Sequence, residues 1–277
     1  MPQPAPVARP ITPIPFHRGF TAMKLGLVTY MWAADWDLDT ILKNCAATGF
    51  DGVELRSTHK HGVEPALSRA QRDEIRKKFA DSPVKLLGPG SACEYHNPDH
   101  GVVRQNIDLT KRFLELSADL GGTGVKVRPN ALVKGEPEAT TIHRIAEALR
   151  ECGEFAAGCQ QEVRVEVHGP GTSAPAVMKK ILDETNHPRV KICWNSNPGE
   201  TIQGSIKTNF ELLWPHFGGT IHIHDLYEKT YPYAEFFSLL KARGYTGTLC
   251  SESPPTADPV RVMHYYRALF DAMVAAA

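Results

Sequence analysis

Beyond its first 22 residues the chain alternates short β-type runs with longer stretches in which apolar residues recur at helical spacing. The short runs are 24–30, 52–57, 84–90, 124–129, 163–169, 190–196, 220–226 and 248–253, and they read as strands. The helical stretches lie near 38–48, 68–81, 101–120, 138–158, 174–186, 205–216, 232–243 and 258–275. Start signals mark several of them. Asp37 precedes LDTILKNCA, Ser68 precedes RAQRDEIRKKF, and Asp258-Pro259 places a capping residue and a first-turn proline ahead of the last helix. Eight strands alternating with eight helices predict an α/β protein, a closed parallel (βα)8 barrel filling residues 23–277 as a single domain. An open doubly wound sheet would be expected to carry a Gly-rich phosphate loop after strand one. The segment TYMWAADWD has none.

The first 22 residues carry prolines at positions 2, 4, 6, 10, 13 and 15 and read as an extended arm or leader without the apolar stretch of a signal peptide. Lys plus Arg equals Asp plus Glu at 31 each, and no basic stripe is visible. A phosphate backbone is bound through such a stripe, so nucleic acid is not the expected partner. No apolar run is long enough to span a membrane. The six cysteines form no CxxC pair; Cys193 and Cys250 fall in apolar strands, where a small buried thiol is the ordinary reading. A reducing, cytoplasmic setting is therefore expected, with export before removal of a leader as the alternative. A homo-oligomer is compatible with this composition.

In a parallel barrel the chemistry gathers at the C-terminal ends of the strands. There the sequence offers Glu54, Arg56 and His59 after strand two, Glu94 and His96 after strand three, and Lys126, Arg128 and Asn130 after strand four. Strand five supplies Glu166 and His168, strand six Asn195, strand seven His222 and His224, and strand eight Glu252. Glu166, Asn195, His222 and Glu252 recur at about one βα unit, roughly 30 residues, so adjacent strands bring four donors to one level. Two carboxylates with one imidazole suit a hard or borderline divalent ion, Mn²⁺ foremost, with Mg²⁺, Co²⁺ or Zn²⁺ as alternatives. The competing reading makes the glutamates partners of Lys126 or Arg128 in buried ion pairs, His222 a core histidine and Asn195 a structural amide. His224 could take the place of His222. Substrate-binding candidates are His168, Lys126, Arg128, Glu54, His224 and Trp32. Lys126 and Arg128 could hold an anionic or polyhydroxy group. Trp32, Trp36, Tyr30 and Tyr95 could form an apolar wall for a sugar face, or plain core.

VEVHG at strand five, CWNSNP at strand six, IHIHD at strand seven and SES at strand eight carry a resemblance. The chain resembles, over about residues 23–275, the xylose-isomerase-like TIM barrel superfamily, the sugar phosphate isomerase/epimerase group that also includes endonuclease IV. The resemblance implies one divalent metal on Glu166, Asn195, His222 and Glu252. It also implies acid and base roles for Glu166 and Glu252 on opposite faces of a sugar carbon. The group's usual aspartate at the end of strand six is Asn195 here, and the histidine three residues later is Pro198. Asn195 can ligate through its carbonyl oxygen but brings no charge. Two histidines after strands two and three, among His59, His61 and His96, would hint at the endonuclease arrangement; the neutral charge balance speaks against it.

The expected function is a metal-dependent isomerase or epimerase of a ketose or keto-sugar, acting by proton abstraction through a metal-bound enediolate. One alternative is a lyase at the same site, dehydrating an inosose or eliminating from a 3-keto-glycoside. Another is a non-catalytic sugar-binding barrel, favoured by Asn195. The expected partner is a small-molecule sugar or keto-sugar.

Overall fold

A computed structural model describes residues 23–277, so the Pro-rich arm expected over 1–22 lies outside the described residues. Within them the strands are β1 (Lys24–Val28), β2 (Gly52–Arg56), β3 (Lys85–Glu94), β4 (Gly124–Arg128), β5 (Glu162–Glu166), β6 (Val190–Cys193), β7 (Thr220–Ile223) and β8 (Thr248–Ser251). They alternate with α1 (Leu38–Thr48), α2 (Arg69–Ala80), α3 (His100–Leu120), α4 (Glu138–Gly158), α5 (Pro175–Thr185), α6 (Lys207–Leu213), α7 (Tyr233–Ala242) and α8 (Pro259–Ala276). The caps read from sequence form as hydrogen bonds. Asp37 accepts from the Thr40 N–H, Ser68 makes a reciprocal capping box with Gln71, and Asp258 accepts from the Arg261 N–H. No helix of the described residues is long and apolar enough to cross a membrane.

The strands pair in parallel in the order β6-β5-β4-β3-β2-β1-β8-β7. The two edges of this sheet then meet. The Gly218 N–H donates to the Ile192 carbonyl at 2.9 Å, and the His222 N–H donates to the Trp194 carbonyl at 2.8 Å. The result is a single (βα)8 TIM barrel, as the alternation predicted. Alternation along each strand sorts its side chains. On β5, Val163 and Val165 join the apolar layer under the helices. Arg164 and Glu166, on the other face, reach across the barrel interior.

At the N-terminal end Arg164 is buried and donates to Glu162 (2.9 Å), the Leu87 carbonyl (3.0 Å) and Thr123 (2.6 Å), so the barrel floor is a satisfied polar plug.

Two elements differ from their sequence reading. Strand β3 runs on to Glu94, although Gly88-Pro89-Gly90 reads as its end. Pairing of Gly90 with Lys126 and of Glu94 with Arg128, across a shift in register, prolongs it. The stretch expected as one helix over 205–216 divides into α6 and a 3-10 turn, Trp214–His216, because Pro215 supplies no N–H to continue the α-helical ladder.

Candidate metal and substrate site

Glu166 ends β5 inside the barrel and is buried together with Lys126 of β4. The Lys126 Nζ donates to Glu166 Oε2 at 2.8 Å, and the Asn195 Nδ2 donates to Glu166 Oε1 at 3.0 Å. Burial alone would raise the Glu166 carboxyl, but Lys126 and His222 hold it well below the usual carboxylate range. The ion pair with Lys126 weighed from sequence therefore exists, and it coexists with the convergence of donors rather than replacing it.

His222, on β7, is 1 % exposed and stands between carboxylates. Its Nε2 lies 3.2 Å from Glu54 Oε1. Its Nδ1 lies 3.6 Å from Glu166 Oε1 and 3.2 Å from Glu252 Oε2. A proton on Nε2 bonded to Glu54 leaves the Nδ1 lone pair facing two acceptors, an arrangement that demands either a second proton or a cation between them. Burial disfavours the charged imidazole, but Cys193, Glu54 and Glu166 together hold its pKa well above the ordinary histidine value. Ligand atoms of Glu166, His222 and Glu252 all lie within 4.8 Å of one another. Asn195 Oδ1, His222 Nδ1 and Glu252 Oε2 are buried without a hydrogen-bond partner. Buried polar atoms are seldom left unpaired. Unpaired acceptors on His222 and Glu252 beside Glu166 suit a divalent ion, which these three residues would hold, and Asn195, bonded to Glu166, offers its unpaired Oδ1 as a fourth donor. Glu54 would orient the imidazole from behind, as carboxylates do for metal-bound histidines.

These groups floor a cavity of about 290 Å³, walled by Val28, Tyr30, Met31, Arg56, Lys126, Arg128, His168, Asn197 and His224. His168 Nδ1 lies 3.0 Å from Asn130 Oδ1, and that loop contact is tight. A Cβ on Gly169, whose φ is +92°, would stand 2.0 Å from the Asn130 carbonyl. His224 does not take the place of His222. Both its ring nitrogens face backbone carbonyls, Nε2 at 2.9 Å from Asn195 and Nδ1 at 3.3 Å from Glu252. It ties the segments that follow β6 and β8 together within the cavity wall.

Two substrate-binding candidates fall outside the cavity. Glu54 lies one layer deeper, beneath His222. Trp32 packs on Phe50 and Tyr266 in the core. Of the four aromatic residues proposed as a wall only Tyr30 lines the cavity; Tyr95 is buried and bonds Thr110 at 2.7 Å. His61 is a structural group: it accepts from the Val63 N–H, lies 2.9 Å from the Arg56 carbonyl, and burial lowers its pKa to about 4. His59 meets Thr29 and stacks on Tyr30. Among the described residues the histidines after strands two and three thus build no further metal cluster. Met31, at φ 63°, enters the wall without any sequence signal. Glu200 is a second group that the sequence did not point to. It is fully buried in the 3-10 turn Pro198–Glu200 behind β6 and accepts from the Tyr231 hydroxyl at 3.0 Å.

A family model described as "Xylose isomerase-like TIM barrel" matches residues 42–267. No curated protein matches the chain. Among solved structures, one similar fold is the 3-keto-D-glucoside 4-epimerase YcjR from E. coli, at TM-score 0.75 and 15% identity, covering 90% of this chain and 99% of that one. An L-ribulose 3-epimerase superposes at TM-score 0.77 and 17% identity over 91% of this chain and 95% of its own. The IOLI protein with a binding zinc atom does so at 0.73 and 16% identity, over 91% and 97%.

Proposed function

Because the chain belongs to the xylose isomerase-like TIM barrel family, we propose that it is a divalent-metal-dependent isomerase or epimerase of a ketose or keto-sugar, with Glu166 and Glu252 as its acid and base. The observation that carries this reading is the meeting of these two carboxylates with His222 on the floor of one small cavity, with acceptor atoms of His222, Glu252 and the adjacent Asn195 unpartnered. The epimerases among the similar folds support it, and the zinc atom bound by the IOLI protein, another of these folds, supports a metal of this class.

When bound, a divalent ion would supply Lewis acidity to a substrate carbonyl and so ease removal of the neighbouring proton. The protein's own groups divide the remaining work unequally. Glu166 has both oxygens engaged, by Lys126 and Asn195, and is held as a carboxylate. Glu252 Oε2 makes no hydrogen bond and has only His222 Nδ1 beside it at 3.2 Å, which leaves it the freer base. One carboxylate takes the proton from the carbon beside the carbonyl, and a proton drawn from solvent is delivered through the other to the opposite face. A second reading, elimination, is favoured by Lys126, whose ammonium lies in the cavity wall beside Glu166 and could protonate a departing hydroxyl.

The test is incubation of metal-loaded protein in D₂O with ketoses, inososes and 3-keto-glycosides. Deuterium entering a substrate C–H, lost on chelation, is the expected result. Product analysis then separates an epimer from a dehydrated product. Binding without any exchange across the panel would leave a sugar-binding barrel instead.

A further inference from the structure

The cavity is not electrically even. Its floor carries the carboxylates Glu166 and Glu252, and the wall from β2 and β4 carries Arg56, Lys126 and Arg128. Two of these cations are matched. Lys126 is neutralised by Glu166 at 2.8 Å, and Arg128 donates through one terminal nitrogen to Glu94 at 2.5 Å. Arg56 differs. Among the described residues its guanidinium bonds only neutral acceptors, the Ser57 hydroxyl at 2.7 Å and the carbonyls of Ser57 and Gly90 at 3.5 and 3.4 Å. All three bonds use the same terminal nitrogen, so the other edge of the fork is free. Arg128 contributes a second unmet donor, since its Nε is buried without an acceptor. Asn195 adds no negative charge to the floor, and a divalent ion there would make the lining more positive still.

A half-buried guanidinium without a counter-ion, facing a cavity of sugar size, lacks an anion. We infer that the substrate is an acidic keto-sugar, whose carboxylate or phosphate is held by Arg56 at the β2 side of the cavity while its carbonyl end lies over the floor. The inference rests on the proposed function for the identity of the floor, but the anion's place follows from the wall. Both carboxylate and phosphate match the planar fork of an arginine.

The experiment compares ligands built on one ketose skeleton by calorimetric titration into metal-loaded protein: D-fructose, its uronic acid D-fructuronate, and D-fructose 6-phosphate. At least one acid is expected to bind roughly tenfold or more tightly than the neutral ketose, the scale of a hydrogen-bonded charge pair. Which acid is preferred separates carboxylate from phosphate. The preference should shrink as salt rises and collapse in Arg56→Gln. Because Arg56 also bonds backbone, Arg56→Lys serves as a second variant, keeping the charge without the fork and retaining part of the preference. Equal or weaker binding of both acids overturns the inference, and so does an acid preference that survives intact in a folded Arg56→Gln protein. Deuterium exchange is scored separately. An acid preference without exchange retains the anion site and rejects the isomerase reading; exchange with neutral ketoses alone does the reverse.

Discussion

At the scale of single residues, the two glutamates are unlike in their surroundings, and their variants should differ accordingly. Glu252→Gln keeps an oxygen for a metal and removes the base with the unpartnered oxygen; turnover is expected to fall roughly 10²-fold or more with metal content unchanged. Assay of a variant verified to hold its metal checks this, and near-normal turnover would reduce Glu252 to a ligand. Glu200 gives a prediction about stability. Burial pushes its carboxyl up from 4.5 to about 8. It therefore stays protonated in the fold while the unfolded chain ionises. Its contribution to stability is complete below about 4.5 and is lost as pH rises toward 8, a loss on the order of a few kcal/mol. Glu200→Gln should flatten that slope, because a neutral amide can still accept from the Tyr231 hydroxyl. Denaturant unfolding at pH 5 and pH 8.5 decides it: parallel profiles for the two proteins would mean that Glu200 is already ionised in the fold.

At the scale of elements, strands carry the site and one glycine keeps two of them in contact. A Cβ on Gly90 of β3 would stand 2.7 Å from Glu54 Oε1. Glu54 is buried, and its carboxylate must shift to make room for the new methyl group. Gly90→Ala should leave the barrel folded, displace the Glu54 carboxylate from His222, and weaken metal binding about 10–100-fold, as the loss of a group that orients a ligand does. Metal titration beside a thermal melt tests both halves; unchanged affinity would show that Glu54 does not set the imidazole. The same strands explain what the sequence made legible. Strand order and the period of two pointed to Glu166, His222 and Glu252, which lie with ligand atoms within 4.8 Å of one another, and to Asn195, which bonds Glu166, because these follow from chain direction alone. Depth did not follow. Glu54 and Arg56 share a face two positions apart, a step of about 7 Å along the strand, so one lies under the imidazole and the other reaches the cavity. Trp32 and Glu200 sit on connecting segments, where no periodicity reports which way a side chain turns. The sequence drew Trp32 into the site and passed over Glu200 for that reason.

At the scale of the whole molecule, the barrel is continuous in seven of its strand junctions and closes at the eighth through few backbone bonds, from Gly218 to Ile192 and from His222 to Trp194. Asn195 follows β6 on one side of that junction, and His222 stands on the other. Parting the seam pulls the two side chains away from each other. Local opening and ligand occupancy are therefore linked equilibria, and whatever is held by both residues acts as a latch on the least-bonded edge of the cylinder. Hydrogen–deuterium exchange should report this directly. With metal at about a hundred times its dissociation constant, linkage adds about 2.7 kcal/mol against opening. The amides of Gly218 and His222 should then exchange about a hundredfold more slowly, while amides in the ladder between β2 and β3 keep their rates. A uniform slowing around the barrel would mean that the cylinder opens as one unit. Slowing confined to the seam would make the His222 amide a gauge of occupancy that can be read without turnover.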